Sequence, residues 1–102
     1  MAVTTLKLVT IICEPVLEAK IEQDLKRLGA SGYTVTEGRG AGSRGLHADA
    51  IPGSNLRIEA IVAPAAAERI ITWIAEHYFE HYSVIAWLSD VQVVRGDKYV
   101  SG

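Results

Sequence analysis

Residues 32–62 read GYTVTEGRGAGSRGLHADAIPGSNLRIEAIV. Two alternating stretches bracket an irregular one. Gly32 to Glu37 alternates and predicts a strand; Leu56, Ile58, Ala60 and Val62 alternate with Arg57, Glu59 and Ile61 and predict a half-buried strand. Between them, residues 38–55 hold five of the nine glycines and no apolar period. Connections in compact domains have a median of about 4–6 residues, so an 18-residue loop is a functional segment or a disordered one. Its glycines and missing apolar stripe leave little to offset an ordering entropy of roughly 1–2 kcal/mol per residue, and residues 40–54 are expected to be disordered without ligand.

The flanking sequence sets this pair of strands in a repeat. Upstream, the β-branched run from Leu6 to Ile12 predicts a strand. Glu14-Pro15 then opens an amphipathic helix carrying Leu17, Ile21, Leu25 and Leu28 on one stripe, and Gly29 stops it. Downstream, Ala63-Pro64 opens a second helix with the stripe Ala67, Ile70/Ile71, Ile74 and Tyr78. Val84 to Leu88 predicts a fourth strand, Ser89-Asp90 a turn, Val91 to Val94 a short extra C-terminal strand, and Gly96 to Gly102 a tail. The order β-α-β-loop-β-α-β is the α+β, ferredoxin-like βαββαβ plan, an antiparallel sheet with both helices on one face. The other face takes whichever half of Leu6/Leu8 or Val9/Ile11 the helices leave, and a face that apolar calls for an oligomer.

The chain of 102 residues makes a single domain, 1–102. It is 49% hydrophobic with a formal charge of −2, which excludes a disordered chain and argues against a general nucleic-acid or anionic-membrane binder. One cysteine, Cys13, excludes an internal disulfide and suits a reducing compartment. Without an apolar run of about 18 residues or a signal-peptide pattern, the expectation is a cytoplasmic protein with no direct membrane insertion.

Three constellations bear on chemistry. Gly40-Ala41-Gly42-Ser43-Arg44-Gly45 matches G-x-G-x-x-G after a strand, but Pro52 and the absence of a helical period downstream exclude a dinucleotide-binding unit. The glycines still let backbone N–H groups converge on an anion, with Ser43, Arg39 and Arg44 as further donors; the alternative is a mobile surface loop. His77 and His81 stand at i, i+4 spacing on the second helix, with His47 as a third candidate ligand, but solvated histidines near the helix C-terminus account for them better, and no metal is assigned. Cys13 lacks a cationic neighbour, and no Ser-His-acid or Cys-His set supports a nucleophilic enzyme. Trp73, Trp87, Tyr78 and Tyr82 read as core or subunit contacts.

Residues 32–45, GYTVTEGRGAGSRG, resemble the second strand and T-loop root of the PII signalling proteins, most nearly the PII-like branch associated with bicarbonate uptake and carboxysomes. Tyr78-Phe79, Tyr82-Ser83 and VIAWLSDVQVV resemble the end of the second helix and the following strands of that branch. The resemblance implies a non-enzymatic homotrimer that binds adenine nucleotides in clefts between subunits, with 38–55 as a flexible T-loop. On that alignment Thr36, Glu37, Gly38 and Arg39 match the strand end beside the nucleotide. Gly40, Gly42, Ser43 and Arg44 match the loop that approaches the phosphates, and Arg95 matches an arginine that reaches a neighbour's phosphates. Arg44 and His47 are the candidates for a bicarbonate ligand, and a bicarbonate transporter is the implied partner.

The departures shape the expectation. HYFEHYSV stands where PII proteins carry a glycine-rich B-loop with a lysine, which puts AMP, ADP or cyclic AMP ahead of ATP. The loop has no tyrosine to uridylylate, and the cysteine pair of a C-terminal redox loop is missing. Two other readings stand beside this one: a small ferredoxin-like α/β-dimer enzyme using His77, His81 or His47 for acid–base work, and a metal-binding PII-like protein.

Overall fold

The computed structural model describes residues 2–39 and 54–95. Four strands form one antiparallel sheet in the order β2-β3-β1-β4, with β1 Thr4–Cys13, β2 Thr34–Arg39, β3 Ser54–Val62 and β4 Ile85–Val93. Two helices, α1 Glu18–Leu28 and α2 Pro64–Tyr78, link β1 to β2 and β3 to β4. The βαββαβ plan expected from the sequence is the one found.

Local chemistry places the helix ends. Pro15 begins a 3-10 turn, Pro15–Leu17, that leads into α1. Gly29 closes α1 in the left-handed region at φ 118°, and the Ala30 N–H returns to the Leu25 carbonyl at 2.9 Å. An L side chain is strained at that angle, which is why glycine stands there. Pro64 opens α2 where its missing N–H costs nothing.

Strand periodicity decides which half of each strand the helices cover. Val9, Ile11 and Cys13 of β1 join Leu56, Ile58, Ala60 and Val62 of β3 under Leu17, Ile21 and Leu25 and under Ala67, Ile70, Ile74 and Tyr78. Leu6, Leu8, Thr10 and Ile12 therefore fall to the opposite face, with Arg57, Glu59 and Ile61 of β3 and Ile85 and Trp87 of β4. Tyr78 carries a polar group into the core, and its hydroxyl donates to the buried Asp24 carboxylate of α1. Burial and that bond raise the phenol's pKa.

Two boundaries differ from expectation. Ser89-Asp90 makes no turn: β4 pairs with β1 without a break from Ile85↔Ile12 to Val93↔Thr4, so the expected extra C-terminal strand is the second half of β4. Asp90 stands opposite Lys7 and the two side chains pair as ions, which holds a turn-forming residue in the ladder. Strand pairing also runs into both ends of the segment 38–55 that was expected to be loop, because Gly38↔Asn55 and Arg39↔Ser54 still pair. Strand pairing requires backbone partners, not an apolar period, and so it outruns the hydrophobic pattern. Among the described residues no helix is long and apolar enough to cross a membrane.

Candidate functional site

Antiparallel pairing puts the end of β2, the end of β1 and the start of β4 at one end of the sheet: Glu37 faces Leu56, Leu56 faces Cys13, and Ile12 faces Ile85. The root residues Thr36, Glu37, Gly38 and Arg39 are strand residues there, on an edge strand and open to solvent. Their parity splits them. Thr36 and Gly38 lie on the face without helices, opposite Arg57 and Asn55; Glu37 and Arg39 lie on the other. A Cβ added at Gly38 would meet nothing within 4 Å, so no described neighbour requires glycine there.

Arg95 does not join them. It follows β4, whose last paired residue, Val93, faces Thr4 at the far end of the sheet and on the opposite edge. At roughly 3.3 Å per residue and 4.8 Å per strand, Arg39 and Arg95 of one chain lie on the order of 40 Å apart. No single nucleotide bridges them within one subunit. Gly40, Gly42, Ser43, Arg44 and His47 lie outside the described residues.

The face without helices carries a polar group that the sequence reading did not single out. Thr10 is fully buried, and its hydroxyl donates to Glu59 Oε2 at 3.1 Å. Arg57 Nη2 donates to the same oxygen at 3.4 Å, and the guanidinium lies 5.7 Å from the Trp87 ring centre. Trp87 is thus a face residue tied to a cation, and Ile85 beside it is 58% exposed. The clean alternation of Arg57 and Glu59 with Ile58 was the available signal that both share this face.

The end of the sheet that holds the root is acidic. Glu14 closes β1, is itself buried, and accepts the Ser83 N–H at 3.0 Å, which ties the approach to β4 onto β1. Burial pushes the Cys13 thiol up to about 12, with Glu18 and then Glu14 adding to it. Glu18 is also raised, first by a hydrogen bond with Glu22 and further by Glu22 and Glu37. Four carboxylates therefore share a field at this end. Cys13, buried and protonated, is not poised for chemistry.

The expected histidine pair does not form on one helix face. α2 ends at Tyr78, so His81 lies in the turn beyond, where the Tyr82 N–H still returns to the Tyr78 carbonyl at 3.1 Å and the Ser83 N–H goes to Glu14. His77 stacks on Trp73 at 3.5 Å, with Nδ1 3.0 Å from the Trp73 carbonyl oxygen; His81 lies 3.9 Å from Glu80. The other side of Trp73 is covered by Arg27 at 4.0 Å. Among the described residues no three His, Cys, Asp or Glu side chains gather as a metal site. An open groove lined by Leu28, Glu68, Arg69, Thr72, Trp73 and Glu76 lies on the helix layer, away from the root.

Comparison with known structures accords with this layout. A Thermus thermophilus protein described as PII-like and signaling is 50% identical and superposes with a TM-score of 0.85 over 98% of this chain and 100% of its own. CPII from Thiomonas intermedia K12, bound to ADP, AMP and acetate, is 26% identical, with a TM-score of 0.83 over 98% and 99% of the two chains. The same protein, a nitrogen regulatory PII-like protein, bound to ADP, AMP and bicarbonate, gives 26% and 0.82 over 97% of each. Residues 6–98, from near the start of β1 to beyond Arg95, match the family described as nitrogen regulatory protein P-II, and the chain belongs to that family.

Proposed function

We propose that this chain is a non-enzymatic signalling protein, a cytoplasmic homotrimer that binds AMP or ADP in clefts between subunits. The observation that carries the reading is the separation of the two cationic corners. Arg39 and Arg95 serve one ligand only when they come from neighbouring copies, and the uncovered sheet face with Ile85 and Trp87 offers the surface on which copies meet. Ligation of ADP, AMP and bicarbonate by CPII supports the choice of ligand class.

In this reading Thr36, Glu37, Gly38 and Arg39 flank the nucleotide, and Gly40, Gly42, Ser43 and Arg44 close on its phosphates. Arg95 reaches across from the adjacent subunit. Cyclic AMP is a further candidate, and bicarbonate at Arg44 and His47 is a second ligand. Ligand binding orders the T-loop, and the ordered loop is read by a partner, a bicarbonate transporter of the carboxysome-associated branch; a segment that orders on binding is an established way to couple ligand to partner. The reading that uses His77 as an acid–base group is disfavoured because that ring is stacked on Trp73.

Titration calorimetry with AMP, ADP, ATP and cyclic AMP, each with and without bicarbonate, tests the ligand class. A guanidinium–phosphate contact contributes about 1.5–3 kcal/mol, so Arg44→Ala weakens ADP by roughly 10- to 150-fold and leaves the assembly intact. Unchanged affinity in Arg44→Ala, Arg39→Ala and Arg95→Ala alike sinks the nucleotide reading.

A further inference from the structure

The helix layer holds a feature that the nucleotide reading leaves unused, the open groove of about 380 Å³ between the end of α1 and the middle of α2. Leu28 and Trp73 give it apolar walls, and both pack against the core. Its charges are unevenly committed. Arg69, the cation of the groove, is held by α1: its Nε donates to the Leu28 carbonyl at 3.3 Å. Arg27 lies over the Trp73 ring at 4.0 Å and pairs with Asp24. Glu68 and Glu76, by contrast, have neither a hydrogen bond nor an ion pair among the described residues. Standing eight positions apart on α2, they are separated by about 12 Å along its axis. Trp73 adds a third element. Among the described residues its Nε1 is the buried side-chain polar atom without a hydrogen-bond partner.

We propose that this groove docks an extended segment of another protein, one with Lys or Arg at two positions four apart and an apolar side chain midway between them. The proposal does not depend on the nucleotide reading, and in the proposed trimer copies meet on the opposite side of the sheet. Four residues of extended chain span about 13 Å and put alternate side chains on one side. The two cations then meet Glu68 and Glu76, and the middle side chain enters against Leu28 and Trp73. A helix spends its carbonyls on itself, whereas an extended segment brings unpaired ones, and a tilt of the Trp73 ring toward such an acceptor relieves the orphaned N–H. Polyanions, nucleic acid or an anionic membrane, would meet the same two carboxylates and be repelled. The occupant is not this chain, because no two of its 10 Lys and Arg stand four apart.

The probe is the blocked peptide acetyl-Gly-Lys-Ser-Leu-Ser-Lys-Gly-amide, titrated into the whole protein while NMR follows the two indole N–H signals, from Trp73 and Trp87. The expected result is a saturable shift of the Trp73 signal at millimolar peptide or below, with the Trp87 signal unmoved. Glu68→Gln together with Glu76→Gln alters only exposed positions, so the unfolding midpoint stays the same. Peptide affinity falls by roughly 3- to 30-fold, the worth of two exposed ion pairs. The same peptide with glutamate in place of both lysines does not bind. A Trp73 signal unmoved at millimolar peptide overturns the proposal, and so does an affinity within about twofold in the double variant or equal binding of the glutamate peptide. A Trp73 signal that moves with protein concentration alone gives the groove to a second copy and overturns the assignment as well.

Discussion

The two faces of this sheet are built from alternate residues of the same strands and do different things. On the helix side Val9, Ile11, Ile58 and Val62 are at most 2% exposed, and every neighbour is supplied by the chain itself. On the other side Leu8, Ile12, Ile61, Ile85 and Trp87 stand with Thr10, Arg57 and Glu59; Leu6 and Thr10 are buried there, but Ile85 and Trp87 are left exposed. One side carries the stability of a subunit, and the other is the side on which the proposed assembly joins subunits. A strand with period 2 can serve both at once because a residue and its neighbour never look the same way.

Three measurements would break or sharpen that contrast. The largest effect belongs to the closed side. Ile58→Ala removes a fully buried side chain from the middle of β3 and is expected to cost about 2–5 kcal/mol, seen as a lower denaturation midpoint at fixed protein concentration. A loss below about 1 kcal/mol would mean that the helix layer repacks and is not the rigid side. On the open side, Trp87→Glu places a carboxylate in the surface that copies are proposed to share. Light scattering should show the assembly dissociating at micromolar concentration, an effect of about 2 kcal/mol or more per contact, while the far-ultraviolet circular dichroism of the subunit changes little. Loss of the fold along with the assembly would erase the division of labour. The smallest effect tests the buried polar tie between the helices. Tyr78→Phe deletes the donor to Asp24, and because Asp24 keeps Arg27 at 3.3 Å, thermal unfolding should report a loss of only about 1 kcal/mol.

The architecture was legible because each element carries its own period. The stripe of Leu17, Ile21 and Leu25, the two proline-opened helices and the alternation of Leu56 to Val62 all map onto what forms. The sequence misled where a local signal met a distant partner. Ser89-Asp90 has the composition of a turn, but Lys7, more than eighty residues earlier, receives Asp90 across the strand. His77 and His81 have a ligand spacing, but the helix stops between them, at Tyr78, and His77 stacks on Trp73 instead. Thr36 and Glu37 were legible as strand because their alternation is local, whereas the pairing of Gly38 and Arg39 with Asn55 and Ser54, and the carboxylates Glu14 and Glu18 at the same end of the sheet, come together only after folding.

The diagonal placement of Arg39 and Arg95 has a consequence in the language of inheritance. In the proposed trimer each cleft is assembled from two polypeptides, so damage is counted by cleft and not by chain. A subunit lacking one corner spoils the cleft on one side of it and still completes the cleft on the other. Two different lesions, one at each corner, can therefore complement within a single particle, although neither chain forms a working site with copies of itself.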